Sequence, residues 1–267
     1  MAIDRVLVRR PGPRLADGLV THIERVPVDM ELAGRQWAQY VEVLAASGWF
    51  VVEVPEIDEC PDGVFIEDTM VVYRDQRPPS AGGGVGALAV IARSGAVERR
   101  PEAAEAERVI AAQGYRVERI TEPGTLDGGD VLKVGSTVYA GLGGRTNQAG
   151  IDQLRRFLEP LGADVIAVPV SKVLHLKSAV TALPDGTVIG YEPLVDDPAA
   201  FESYLSVPEE AGSHVVLLGE GRLLMAASAP RSAELFRRLG YTPVVVDLSE
   251  FEKLEGCVTC LSVRLRS

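Results

Sequence analysis

Apolar positions along the chain follow two periods that succeed one another in a fixed order. Four stretches carry the three-to-four-residue spacing of an amphipathic helix, and each runs into a glycine with an apolar strand directly behind it. They are ELAGRQWAQYVEVLAAS to Gly48 before WFVVEV, PEAAEAERVIAAQ to Gly114 before YRVERI, NQAGIDQLRRFLEPL to Gly162 before ADVIAVPV, and SAELFRRL to Gly240 before YTPVVVDL. A shorter helix is predicted near AAFESYL, leading to Gly212 and HVVLL. Glycine suits these stops because the residue after a helix often needs a positive φ. Between the helical units lie pairs of short strands: VFIEDTMVVY with ALAVIAR, DVLKV with TVYAG, HLKSAVTAL with TVIGY, and VVLLG with RLLMAA. The unit is strand, strand, helix, strand, and it recurs about five times at intervals of roughly 50 residues. That period predicts a repeated, propeller-like α/β architecture and argues against a doubly wound sheet.

No composition shift marks a linker, so residues 1–267 are expected to form one catalytic domain. The Pro/Gly-rich stretch 77–86 reads as a long turn between strands. Its GGGVG string is followed by a strand where a dinucleotide loop needs a helix, so no cofactor is expected there. The chain is 46% hydrophobic, enough for a substantial core, and its formal net charge of −11 disfavours nucleic acid and anionic lipid as partners while favouring a small cation. The start, MAIDRVLVRR, lacks the apolar core of a signal peptide, and no apolar run is long enough for a membrane span. Three cysteines do not make a disulfide framework, and a reducing cytoplasmic setting is the expectation.

Cys257 and Cys260 form a C-x-x-C. Structural zinc would need about four ligands, and no second Cys/His pair has plausible spacing. CVTCLSVRL alternates and is rich in β-formers, so it reads as a terminal strand in which the two thiols point to opposite faces and do not meet. Of three histidines, His22 reads as surface and His214 as structural, leaving His175 as candidate base. LDGGD sets Asp127 and Asp130 around two glycines, where backbone must approach something closely. PDGVFIEDT places Asp62, Glu67 and Asp68 in or beside an apolar strand, either as turn and salt-bridge residues or as carboxylates awaiting a cation.

In this order PDGVFIEDT, TLDGGD, GGRTNQAG, HLKS and TCLSV resemble the dimethylarginine dimethylaminohydrolase family, from about residue 60 to the C-terminus, with a weaker fit at VLVRRP. The resemblance implies the pentein fold, a five-bladed α/β propeller of ββαβ modules with pseudo-fivefold symmetry. It implies hydrolysis of dimethylarginine and monomethylarginine to citrulline through a thiouronium on cysteine, without metal or cofactor, in a monomer or homodimer. Cys260 then matches the nucleophile, His175 the general acid/base, and Asp127 the acid that orients the histidine and contacts the guanidinium. Asp62 and Asp68 match guanidinium-binding carboxylates and Glu67 an adjacent substrate contact. Arg99, or its neighbour Arg100, and Arg145 match the arginines that take the substrate carboxylate, and Leu19 a residue of a flap over the substrate. Lys177 stands where related arginine deiminases and amidinotransferases carry aspartate, which favours the dimethylarginine hydrolases. The alternatives are a deiminase-like hydrolase of another guanidine and a non-catalytic binding protein of the same fold.

Overall fold

A computed structural model describes residues 4–75 and 86–266, so the predicted turn at 77–86 lies, but for Gly86, outside the described residues. Among the described residues, fifteen strands assemble into five three-stranded sheets. β1 (Arg5–Arg9) lies between β15 (Val263–Leu265) and β2 (Phe50–Val54). The second sheet holds β3 (Met70–Arg74), β4 (Ala87–Ile91) and β5 (Arg116–Arg119), and the third β6 (Val131–Val134), β7 (Thr137–Leu142) and β8 (Asp164–Pro169). β9 (Val180–Ala182), β10 (Val188–Gly190) and β11 (Tyr204–Ser206) form the fourth; β12 (Val216–Gly219), β13 (Arg222–Ala226) and β14 (Thr242–Val246) form the fifth. Every central strand has one antiparallel and one parallel neighbour.

A parallel neighbour requires a crossover. Helices supply it in four sheets: α1 (Met30–Ala46), α2 (Ala103–Ala112), α3 (Gln148–Leu158) and α5 (Pro230–Arg238), with two short helical turns, α4 (Leu176–Ala179) and α6 (Ser249–Glu252), elsewhere. The Asp29 side chain caps α1 by accepting from the Leu32 amide, and Asn147 caps α3 by accepting from Gly150. Gly48, Gly114, Gly162 and Gly240, where the helical patterns were expected to stop, all have φ between 83° and 91°.

The fourth sheet departs from expectation. Its crossover contains 3-10 turns at Glu192–Leu194 and Pro198–Ala200, and part of the predicted helix AAFESYL is instead strand β11. Two prolines, Pro193 and Pro198, cannot donate backbone N–H groups and so break a continuous helix. The predicted strand VFIEDTMVVY is likewise shorter, because Ile66–Thr69 is a 3-10 turn and β3 begins at Met70.

Strands β1, β3, β4 and β13 are buried on consecutive positions because both of their faces are covered, whereas β5 and β8 keep exposed positions. In β3, Met70 and Val72 face one core cluster, shared with β1 and α2, while Val71 and Tyr73 face another, shared with β7 and α3. The same division runs through the chain. Leu132 and Tyr139 join the third sheet to the fourth, Ile189 and Leu223 the fourth to the fifth, and Leu224 with Val6 and Val8 the fifth to the first. Five clusters thus link five modules in a cycle. Each fully buried Val or Leu in them contributes on the order of 1.5–3 kcal/mol.

Candidate active site

Three turns meet: Ile66–Thr69, Gly128–Asp130, and the start of α4, which His175 precedes in extended conformation. The two glycines of LDGGD make the meeting possible. A Cβ at Gly128 would fall 2.0 Å from the Glu67 carbonyl, and one at Gly129 would fall 2.5 Å from Asp68 Oδ1 and 2.8 Å from His175 Nδ1. The close approach expected of this string is the packing of one turn against the carboxylate and the imidazole.

His175 is buried between two acids. Its Nε2 lies 3.1 Å from Asp127 Oδ2 and its Nδ1 3.8 Å from Asp68 Oδ1. Burial opposes a charge on the ring, but Asp68, Asp130 and the hydrogen-bonded Asp127 overcome it and raise His175 to about 9. The imidazolium therefore persists at neutral pH. Asp127 also accepts from the Gly95 amide at 3.2 Å and pairs with Arg145 Nη1 at 3.4 Å. For Asp68, burial works toward the neutral acid, but His175 and Arg99 win and hold it well below the usual carboxylate range.

Asp130 was singled out in LDGGD without a role, and here it has one. Its Oδ1 accepts from the amide of Leu176, next to His175, at 2.9 Å, and its Oδ2 accepts from Thr146 Oγ1 at 2.6 Å. The Thr146 hydroxyl in turn accepts from the Asp127 amide at 3.1 Å. Asp130 thus fixes the backbone beside the histidine, and burial raises it to about 6 against the pull of His175.

The terminal segment corrects the strand reading. Residues 257–261 form a turn, and β15 begins only at Val263. The Cys260 amide donates to the Cys257 carbonyl at 3.1 Å, and the two Sγ atoms are 3.3 Å apart, so the thiols do meet. Contacts from far along the chain impose this shape. The Tyr40 hydroxyl donates to the Val258 carbonyl at 2.8 Å, and Arg264 Nη1 donates to the carbonyls of Thr259 and Ser262. The Glu67 amide donates to the Cys260 carbonyl at 3.1 Å, which ties the cysteine turn to the turn bearing Asp68. Cys257, burial, Glu67 and Asp68 together push the Cys260 thiol well above its usual range.

Asp62 accepts from the Leu19 amide on both oxygens, at 3.1 and 3.0 Å, which draws the segment bearing Leu19 onto the carboxylate side. Burial raises Asp62 above the usual carboxylate range. The other end of that segment is held by Glu255, which accepts from the amides of Thr21 and His22 at 2.6 and 2.9 Å.

Two expectations are corrected. Glu67 does not extend toward His175: its Oε1 takes Lys177 Nζ and Arg264 Nη2, each at 2.5 Å, and it lines a separate cavity of about 400 Å³. Successive side chains of a 3-10 turn diverge by about 120°, so neighbours Glu67 and Asp68 serve different sides. Arg99 is not an open receptor for a carboxylate either. It is buried with Nη1 on Asp68 at 2.6 Å, Nε and Nη2 on Glu102 at 2.9 and 2.7 Å, and Nη2 also on the carbonyls of Asp62 and Phe65. Its neighbour Arg100 donates to the Ser94 carbonyl. Arg145 is the half-buried arginine beside Asp127.

Asp68, Asp127 and His175 each offer a ligand atom within 4.8 Å of the others. Arg99 and Arg145 already supply positive charge to the two acids, and Asp127 holds the imidazole, so the arrangement reads as an acid–base cluster. No helix among the described residues is long and apolar enough to cross a membrane.

The turn of the buried Cys260 is tied to the turn that carries Asp68, and Asp68 faces the protonated His175; on five repeated three-stranded α/β sheets this is the arrangement of a pentein-type hydrolase. No family model matches the chain. It is 62% identical over its whole length to an N(G),N(G)-dimethylarginine dimethylaminohydrolase of Streptomyces coelicolor, covering 98% of that protein. Among solved structures, it matches dimethylarginine dimethylaminohydrolase of Pseudomonas aeruginosa, a cysteine-to-serine mutant complexed with citrulline, with TM-score 0.87 and 31% identity over 99% of this chain and 100% of that one. A histidine-to-glycine dimethylarginine dimethylaminohydrolase adduct with S-methyl-L-thiocitrulline also matches with TM-score 0.87, at 30% identity and the same coverage. The chain belongs to the N(G),N(G)-dimethylarginine dimethylaminohydrolase family.

Proposed function

We propose that this protein hydrolyses Nω,Nω-dimethylarginine to citrulline and dimethylamine, and monomethylarginine to citrulline and methylamine. The observation that carries the reading is His175, kept protonated between Asp127 and Asp68, with the Cys260 turn hydrogen-bonded to the residue before Asp68. The relatives named above, one complexed with citrulline and one carrying a thiocitrulline adduct, support it.

A guanidinium is a poor electrophile, and carboxylates hydrogen-bonded to its nitrogens fix its plane for attack. In this reading Asp62, Asp68 and Asp127 hold the group, and its positive charge offsets the acids that resist ionisation of Cys260. The thiolate attacks the central carbon and forms a C–S bond. His175 gives its proton to the dimethylamine nitrogen as the C–N bond breaks, leaving a thiouronium on Cys260. Neutral His175 then takes a proton from water while the water oxygen bonds to the same carbon. The C–S bond breaks, the thiolate returns and citrulline leaves. No metal or cofactor enters these steps. Arg145 receives the substrate carboxylate, for which its planar fork is matched, and Leu19 covers the substrate. Lys177 neutralises Glu67 and offers no carboxylate to a guanidinium, which supports this substrate class over a deiminase.

The cyclic succession of five core clusters supports reading the modules as blades of a propeller with pseudo-fivefold symmetry in one domain, residues 1–267. A monomer or a homodimer is the assembly proposed for the reaction. Three cysteines, too few and too unevenly spaced for a disulfide framework, favour a reducing cytoplasm. The test is incubation with dimethylarginine and, separately, arginine, with citrulline quantified by mass spectrometry. Citrulline from dimethylarginine is expected; citrulline from arginine only would assign a deiminase, and none from either would overturn the reading.

A further inference from the structure

Cys257 has no part in the steps above, yet it is the nearest sulfur to the nucleophile. Its Sγ lies 3.3 Å from Cys260 Sγ and 3.3 Å from Thr259 Oγ1. The turn between the cysteines is closed by the Cys260 amide on the Cys257 carbonyl. An i to i+3 turn brings Cα atoms within about 7 Å, overlapping the span that a disulfide bridges. The sulfurs need to approach by only about 1.3 Å to reach bonding distance, which side-chain rotation can supply. The turn itself is pinned by Tyr40, by Arg264 and by Gly256, where a Cβ would fall 2.3 Å from the Phe65 ring. Such fixed proximity gives one thiol a high effective concentration at the other. A cavity of about 520 Å³, lined by His22, Leu174, His214, Glu255 and Gly256 among others, reaches the residue before Cys257.

We propose that Cys257 is the redox partner of Cys260, and that their turn is a site of oxidative modification whose reagent is a hydroperoxide. Its effect on turnover rests on the reading of Cys260 as nucleophile; formation of the disulfide does not. One sulfur of the pair, as thiolate with its proton released to solvent, attacks the outer oxygen of the hydroperoxide; the O–O bond breaks and the other oxygen leaves, taking a proton back from solvent, as an alcohol or water. The attacked sulfur is now a sulfenic acid. The second sulfur attacks it, the S–O bond breaks, hydroxide leaves and takes the remaining thiol proton as water, and the S–S bond forms. Two thiols have been oxidised and one hydroperoxide reduced. The disulfide stops Cys260 at a stage that thiols reverse, before the irreversible sulfinic acid. The hydrogen bond from Cys260 also holds Cys257 well below the usual thiol range.

The test treats the full chain with hydrogen peroxide and then dithiothreitol, following intact mass, the peptide containing 257–260, and turnover of dimethylarginine. The expected result is loss of the mass of two hydrogens, a crosslink between Cys257 and Cys260, and turnover that disappears and returns on reduction. Cys257→Ser is expected to turn over within a few-fold of the parent, then to gain oxygen under peroxide and lose activity that dithiothreitol does not restore. Oxygen gain without the crosslink in the parent protein would overturn the proposal, and that measurement needs no variant to fold. Equal recovery of activity in Cys257→Ser would overturn it too. A crosslink in a protein that never turned over methylarginines would instead sink the catalytic reading and leave this one standing.

Discussion

Glu67 and Asp68 are neighbours in sequence, both buried, and they belong to two charge clusters of opposite balance. Asp68 faces His175 with Asp127, while Asp130 lies behind, and among these four groups three are acids. Glu67 faces the cavity of about 400 Å³, where one carboxylate holds two cations, Lys177 and Arg264, and Lys133 lines the same walls. The second cluster supplies its own counter-charge, two cations on Glu67 Oε1. The first carries an excess of negative charge that Arg99 and Arg145 only partly offset, the condition under which a cationic substrate adds what the protein lacks. Removing a carboxylate should therefore cost activity in one cluster and stability in the other.

The comparison can be broken most severely at the thiol. Cys260→Ser is expected to lower citrulline formation by roughly four orders of magnitude or more with little change in unfolding midpoint; retained turnover would remove the sulfur from the mechanism. Next in size is Glu67→Gln, which leaves Lys177 and Arg264 without their shared anion. Breaking a buried pair costs about 3–5 kcal/mol, to be read in a urea titration, and an unchanged midpoint would contradict a structural role. Arg145→Ala should act remotely, raising KM by roughly 10- to 100-fold with a smaller loss of kcat; steady-state kinetics with an unchanged KM would place Arg145 outside the substrate site.

The smallest effect is the most diagnostic of the acid-rich cluster. His175 is raised from its ordinary value of 6.5 to about 9, so its charged interactions are complete below the lower value and lost as pH rises through the higher one. An NMR titration of the His175 ring should centre near 9, and kcat should fall above that pH as the proton donor is lost. Asp68→Asn should lower the midpoint by about one unit or more, or roughly 1.4 kcal/mol per unit. A midpoint near 6.5 in the parent protein would separate the histidine from these acids.

Much of this was legible in the chain. The helix stops at Gly48, Gly114, Gly162 and Gly240 and most strand pairs needed only local pattern, because propensity and periodicity act over a few residues. DGGD announced a close backbone approach correctly for the same reason. What stayed hidden depends on partners far away in sequence. Asp130 acquires its role from Thr146 and Leu176, 16 and 46 residues on. The divergence of Glu67 from Asp68 is visible only once Lys177 and Arg264 arrive. The cysteine turn has strand-like composition and is bent by Tyr40, more than 200 residues earlier.

The placement of β1 between β2 and β15 has a bearing on how the molecule reaches its working form. Pairing Arg5 with Leu265 closes nearly the longest loop this chain can form, and loop closure opposes such contacts most. Four sheets can assemble from residues close in sequence, but the first waits for a strand that follows Cys260 by only three residues. We expect the sulfur of Cys260, the nucleophile of the proposed reaction, to be seated in the last, slowest stage of folding, so that on that reading a partly folded chain does not carry an armed thiol among its acids.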